Sequence, residues 1–361
     1  MRIVLTGGGT GGHVYPNIAV IGEIKRRDKD VELLYVGNNL GMDRELVEAS
    51  GVSFKGISAG KLRRYFSWEN FKDFFKVLGG IRQSWKILKN FKPDVVFSKG
   101  GYVALPVVLA AYLARIPVVV HESDIVPGLA NKITFRVARK ILLSFEKSRE
   151  YLSEKSKKKV AITGNIVRKE IMKGQKESGY KLTGFSGERK VLLVMGGSQG
   201  AVEINEMVED FIGGSLDSVL RRVLGEDFKI MRNEDVDVVH ITGVGKMIEG
   251  LKKENYCGLE YANENLKDLY AIADIIVTRG GAGSLAELAA LDKDVIIVPM
   301  REASRGEQDV NAGYFADIMG WRIIGGDENK MRVVDSEKNL ALDIGGEKAA
   351  EIILKMKNEG K

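Results

Sequence analysis

One pattern constrains the fold of this chain more than any other: short runs of β-branched and aliphatic residues recur, each followed by a turn and then a longer segment with helical spacing of its apolar residues. In the first half the runs are RIVLTG (2–7), VELLYVG (31–37), PDVVFSKGG (93–101), PVVVHES (117–123) and KILLSF (140–145). In the second they are VLLVMGG (191–197), VDVVHITG (236–243), Ala273 to Thr278, and DVIIVP (294–299). Such runs are apolar on both strand faces, so they require helices above and below, which is the arrangement of parallel α/β sheets. A chain of 361 residues with 44% hydrophobic and 29% charged residues exceeds one ordinary core and can fill two.

The stretch YLSEKSKKKVAITGN, from Tyr151 to Asn165, is polar and lysine-rich and separates the two sets of runs. It predicts an N-terminal domain over 1–163 and a second over 164–344. The remaining 345–361 carry Ala349, Ile352, Ile353 and Met356 at helical spacing and are expected as a helix returning to the first domain. The fold class expected is therefore α/β: two Rossmann-like, doubly wound parallel-sheet domains facing a central cleft.

A net charge of +6 favours polyanionic partners, and the position of the charges must say which. The single cysteine, Cys257, forms no internal disulfide, and the N-terminal residues lack the features of a secretory leader, so a reducing cytoplasm is expected. The longest apolar stretch, Tyr102 to Val120, is broken by Pro106, Arg115 and Pro117 and does not read as a membrane span.

Chemistry is concentrated at the glycine turns. Gly7-Gly8-Gly9-Thr10-Gly11-Gly12-His13 follows a strand and opens a helix, where backbone N–H groups and the helix N-terminus suit an anion. A dinucleotide reading requires an acidic residue at the end of the second strand, which VELLYVGNN lacks, and a P-loop requires lysine where His13 stands. In Gly196-Gly197-Ser198-Gln199-Gly200 a nucleophile elbow would need a downstream histidine, and His240 follows too soon, so Ser198 reads as a phosphate ligand. A third turn, Arg279 to Glu287, offers Gly283, Ser284 and Leu285 at a helix start and places Glu287 to accept from a ribose diol, or simply to complement the helix dipole. Arg168, in Gly164-Asn165-Ile166-Val167-Arg168, has the planar fork that suits a diphosphate.

Together these segments resemble the MurG family, through GGTGGHVYP, KPDVVFSKGGYVALP, PVVVHES, GLANK, TGNIVR, GGSQGA, TRGGAGSLAE and EQDVNA, in order along nearly the whole chain. The resemblance implies a GT-B fold and transfer of N-acetylglucosamine from UDP-GlcNAc to the C4 hydroxyl of MurNAc in undecaprenyl-pyrophosphoryl-MurNAc-pentapeptide (lipid I), with inversion. It implies that Arg168 and Ser198 meet the donor diphosphate, Glu287 the ribose, the backbone near Ala262 the uracil, and Gln308 the donor sugar. Thr10, Gly11, Gly12 and His13 would lie near the acceptor and the transferring sugar, with Asp124 and Asn131 also at the substrate. Asp124 stands where the family usually has asparagine, and Ile166 where proline commonly precedes Val-Arg.

Transfer needs a base for the incoming hydroxyl and stabilisation of the departing diphosphate. His13 is the candidate base and Glu122 the reserve. The pairs Asp28/Asp30, Asp235/Asp237 and Asp292/Asp294 precede strands, away from the ligand-binding ends, so neither a metal nor another cofactor is expected. Between Gly60 and Phe91, Phe71, Phe74, Phe75 and Leu78 share helical spacing, with Arg63, Arg64, Lys72, Lys76 and Arg82 nearby. That composition suits an anionic lipid surface rather than nucleic acid, and predicts a peripheral location on the cytoplasmic face of the inner membrane. The competing readings are another nucleotide-sugar GT-B transferase, a Rossmann-type epimerase or oxidoreductase, for which no Tyr/Lys pair is found, and a membrane-recruited nucleotide-binding module without activity.

Overall fold

The computed structural model describes the chain except residues 10, 40–42, 61–67, 198–199, 216–217, 229, 231, 249, 252, 301–305, 325–339 and 360–361. Thr10, Arg63, Arg64 and Ser198 therefore lie outside the described residues, as do the side chains of Phe71, Lys72 and Phe74. The chain divides into two compact units, Met1–Arg168 with Leu340–Lys361, and Lys169–Asn339.

In the first unit the strands are β1 (Arg2–Thr6), β2 (Glu32–Asn38), β3 (Ser53–Ile57), β4 (Val95–Ser98), β5 (Val118–Glu122), β6 (Lys140–Leu143), β7 (Val160–Ile162) and β8 (Asn165–Val167). Seven form one parallel sheet in the order β3-β2-β1-β4-β5-β6-β7. Helices α1 (Gly11–Arg27), α2 (Asp43–Ala49), α3 (Trp68–Phe91), α4 (Ala104–Leu113), α5 (Leu129–Val137) and the short α6 (Glu154–Lys157) connect them. Side chains alternate along β1: Ile3 and Leu5 pack with Val14, Val20 and Ile24 of α1, whereas Val4 packs with Leu88 of α3, Val107 and Val108 of α4 and Phe135 of α5. Both faces are dry, as strands apolar on each side require.

The second unit repeats the plan with β9 (Lys190–Met195), β10 (Val236–Ile241), β11 (Tyr256–Leu259), β12 (Ile275–Thr278), β13 (Asp294–Ile297) and β14 (Arg322–Ile323), ordered β11-β10-β9-β12-β13-β14 and parallel throughout. Its helices are α7 (Lys176–Thr183), α8 (Val202–Ile212), α9 (Val219–Phe228), α10 (Leu266–Ile272), α11 (Ala282–Ala290) and a further helix, Glu307–Met319. Leu192 and Val194 pack with Ile204, Val208 and Phe211 of α8 in one of its cores.

The chain then re-enters the first unit. β15 (Leu342–Ile344) pairs in parallel with β8, and Asp343 accepts hydrogen bonds from the N–H groups of Lys348 (2.9 Å) and Ala349 (3.0 Å), opening the C-terminal helix Glu347–Glu359. That helix buries Ala349, Ala350, Ile353 and Met356 against the α1 side of the first sheet. Asn165 is fixed there as well, through Ser144 Oγ (3.0 Å) and the carbonyl of Ser123 (3.2 Å). Residues 164–168 accordingly belong with the first unit.

Candidate functional site

In a doubly wound sheet, ligands bind beyond the carboxyl ends of the strands where the strand order reverses. The first sheet reverses between β1 and β4, and the second between β9 and β12. Each reversal point here carries a glycine turn followed by a helix.

In the first unit the turn after β1 meets the turn after β4. Gly101 has φ +82°, and a Cβ on it would lie 2.7 Å from the Gly8 carbonyl oxygen, so only glycine lets the two turns touch. His13 lies against the same glycine, in the first turn of α1. Gly11 is buried, Gly12 exposed and His13 between the two. The N–H of Gly9 donates to Asp43 (3.4 Å), and Tyr35 donates its hydroxyl to the Gly7 carbonyl (3.0 Å), fixing the turn from α2 and β2. Burial, with the nearby Lys99 as a second cause, pushes the His13 imidazole down to about 4, so it is neutral at neutral pH.

The β5–α5 turn forms the next wall. Glu122 accepts from the N–H groups of Asp124 (3.0 Å) and Gly128 (3.1 Å) and from Asn131 Nδ2 (2.9 Å), and its carboxyl is held above the usual range by burial and by Asp124. Its oxygens are thus engaged in shaping the turn. Asn131 is buried and also donates to the His121 carbonyl (3.2 Å). His121 donates Nε2–H to the Gly164 carbonyl (3.2 Å), which ties the turn to β8. Arg168, just past β8, stacks its guanidinium over the Tyr15 ring of α1 at 4.6 Å, a contact worth about 0.5–2 kcal/mol. The structure therefore brings together Gly11, Gly12, His13 and Arg168 at one end of α1.

In the second unit the turn after β9 runs from Gly196 to Ala201. Arg279, after β12, donates from its guanidinium to the Gly196 carbonyl (2.8 Å), joining the two sides of the reversal point. Gly283 and Ser284 occupy the first turn of α11, where backbone N–H groups have no partner within the helix. Glu287 follows one turn later, half-buried. Leu285 has its side chain fully buried, and its N–H donates to the Gly281 carbonyl (3.1 Å). Ala262 lies in the turn beyond β11. Gln308 accepts from the Met300 N–H (3.0 Å) and so links the helix Glu307–Met319 to the end of β13, while Asn311 donates to the Gly280 carbonyl (3.2 Å).

Beneath the second turn, His240 on β10 donates Nε2–H to Asn205 Oδ1 (3.0 Å), whose amide donates to the Thr242 carbonyl (3.1 Å), and its Nδ1 accepts from the Tyr256 hydroxyl (3.1 Å). Burial pushes His240 down to about 4. Gly200 has φ +66°, and a Cβ there would lie 2.0 Å from the Thr242 carbonyl oxygen. Gly200→Ala is therefore expected to lower stability by about 1–3 kcal/mol. Gly214→Ala, at φ +83° with nothing within 4 Å of the added Cβ, isolates the backbone strain. Equal urea midpoints for the two variants would remove the steric argument.

Sequence reasoning missed Lys99, Tyr15, Arg279 and the His240 network. Lys99 and Arg279 follow strands that flank the reversal points, and strand order, rather than any local motif, is the signal that selects them.

Comparison with known proteins gives the class first. The glycosyltransferase family 28 N-terminal domain matches residues 3–143 and the corresponding C-terminal domain residues 191–336, which with the two reversed parallel sheets defines a GT-B glycosyltransferase. A curated relative from Lachnospira eligens, named UDP-N-acetylglucosamine--N-acetylmuramyl-(pentapeptide) pyrophosphoryl-undecaprenol N-acetylglucosamine transferase, is 43% identical over 318 residues, 88% of this chain and 84% of the relative. The chain belongs to that family of transferases, the MurG family. Among solved structures, Acinetobacter baumannii MurG matches with a TM-score of 0.65 at 21% identity, covering 98% of this chain and 99% of that one. UDP-GlcNAc 2-epimerase from Neisseria meningitidis, bound to UDP-GlcNAc, matches at 0.63 with 15% identity over 99% and 100%. Both likenesses concern the fold alone.

Proposed function

We propose that this chain transfers N-acetylglucosamine from UDP-GlcNAc to the C4 hydroxyl of MurNAc in lipid I, with inversion, giving lipid II. The observation that carries the reading is the 43% identity, over 88% of the chain, with a transferase of that name. The division of labour follows the family resemblance. On it, Arg168, held on Tyr15, and Ser198 are assigned to the donor diphosphate, and the N–H groups at Gly283 and Ser284, at a helix start, suit an anion. Glu287 accepts from the ribose diol, the backbone at Ala262 reads the uracil, and Gln308 contacts the donor sugar.

Across the reaction, Thr10, Gly11 and Gly12 shape the seat of the transferring sugar, with Asp124 and Asn131 beside the acceptor. His13 takes the proton from the incoming hydroxyl: it is neutral at working pH and stands at the anion-binding end of α1, whereas the Glu122 oxygens are occupied by the turn they hold. Glu122 thus acts as a positioning group. The test is radiolabelled transfer from UDP-GlcNAc to a lipid I analogue with chelator present. Label is expected in the lipid product at an undiminished rate. An absence of transfer overturns the reading, and acceptor-free conversion of UDP-GlcNAc at C2 favours an epimerase.

The acceptor implies work at a lipid surface, and we place the chain peripherally on the cytoplasmic face of the membrane. Among the described residues no helix is long and apolar enough to cross one. On α3, Phe75, Leu78 and Trp85 are exposed (55%, 47% and 44%), with Arg82 and Lys89 at the same helical spacing and Lys89 over the Trp85 ring at 5.1 Å. Apolar rings interleaved with cations suit insertion among anionic headgroups. Sedimentation with anionic vesicles at low salt is expected to carry the protein down, and neutral vesicles to carry far less; equal recovery with both would remove the electrostatic part of this placement.

A further inference from the structure

Lys99 ends the β4 run and is only 2% exposed, an unusual place for an ammonium group. Its Nζ donates to Ser123 Oγ, in the turn between Glu122 and Asp124. The backbone of that turn is already anchored: Ser144 Oγ donates to the Glu122 carbonyl (2.8 Å), Asn165 Nδ2 to the Ser123 carbonyl (3.2 Å) and Ser148 Oγ to the Asp124 carbonyl (3.3 Å). The other side of Lys99 meets the first glycine turn. A Cβ on Gly7 would stand 3.2 Å from Lys99 Cβ and 3.4 Å from the His13 carbonyl oxygen, so Lys99 and the start of α1 share one wall.

We propose that Lys99 is a positioning residue for the transfer reaction, the buried cation that balances Glu122 and Asp124 and holds their turn against the His13 end of α1. Two carboxylates in one turn, Glu122 buried and Asp124 half-buried, repel each other, and without an adjacent cation one of them must take a proton or swing to solvent. Lys99 supplies that cation. Burial brings it down to about 8, against the upward pull of Glu122 and Asp124, so it is charged at neutral pH. Its field reaches both histidines of this region, lowering His13 from α1 and His121 from β5. Other polar groups here, among the described residues, include Asn131 from α5, Asn165 from β8, Asn17 from α1, Tyr35 from β2, Ser98 from β4, and Asp43 from α2 beyond Gly9.

The inference rests on the transferase reading for its activity arm and is independent of it for its spectroscopic arm. The activity arm compares Lys99→Met with the double variant Lys99→Met/Asp124→Asn, which removes one charge of each sign. Lys99→Met is expected to lower kcat at saturating substrates by about ten- to a hundredfold, and the double variant to regain about tenfold of that loss. A lysine that merely fills space predicts no such recovery. The chain has three histidines, so titration of 15N-labelled imidazoles needs no substrate. The His13 midpoint is expected to rise by about half a pKa unit or more in Lys99→Met and to fall back in the double variant. If wild type transfers no sugar, the transferase reading fails and the titration still decides. Should Lys99→Met not fold, the double variant is expected to fold, and failure of both overturns the proposal. A double variant no more active than the single one, or a His13 midpoint indifferent to Lys99, does the same.

Discussion

Replacing His13 by alanine is expected to lower turnover at saturating substrates by about 10²- to 10⁴-fold, the usual worth of a positioned general base. The melting temperature should change little, since the imidazole, though enclosed by its neighbours, packs against Gly101 rather than within either core. The pH profile carries a sharper signature. In the free chain the imidazole lies near 4, so the acid limb of kcat/KM, which reports the free enzyme, belongs well below the ordinary histidine value of 6.5. On the proposed assignment a bound diphosphate would bring negative charge to the same end of α1 and favour the imidazolium, so the acid limb of kcat would belong at higher pH than that of kcat/KM. Alanine should remove both limbs. Turnover by the alanine variant within a few-fold of wild type would move the base elsewhere.

Acid sensitivity is the second large effect. His240 lies near 4 in the fold against 6.5 as a free side chain, because burial penalises its charged form. A depressed folded value means that the unfolded chain binds the extra proton. The contribution of His240 is thus fully present above pH 6.5 and is lost as pH falls from 6.5 toward about 4, at about 1.4 kcal/mol per pH unit. His13 and His121 act in the same direction in the first unit. There, Asp43, Glu122 and Asp343 oppose them in the lower part of the window, since burial raises their values and the fold then gains protons on acidification. His240 is the one histidine in the sequence of the second unit, so a single replacement isolates its signal. Replacement by asparagine should lower stability at pH 7 but flatten the dependence between pH 6.5 and 4.5 by about 1.4 kcal/mol per unit in urea titrations. An unchanged slope would show that Tyr256 and Asn205 stabilise the charged ring as well as the neutral one.

Much of the fold was legible in the sequence, because apolar runs of strand length punctuated by glycine report local geometry. RIVLTG, PVVVHES and VLLVMGG all became parallel strands, and the turns after β1, β9 and β12 became the reversal-point loops. What escaped depends on residues distant in sequence. Arg168 is placed by stacking on Tyr15, and no local pattern couples residues so far apart. Lys99 looked like the end of a strand until the neighbouring strand brought Glu122 and Asp124 to it. Within TRGGAGSLAE, Ala282, Leu285 and Ala286 are buried while Gly283, Ser284 and Glu287 are half-exposed, a division set by the direction in which α11 faces its sheet.

The return of residues 340–359 to the first unit also sets a schedule for synthesis. A ribosome delivers β1 through β8 early, yet the surface that Ala350, Ile353 and Met356 will cover stays bare until the whole of the other unit has been made. The N-terminal half must therefore wait, with an apolar flank open to chaperones or to misassociation, whereas the half made later is contiguous and can close as soon as it emerges.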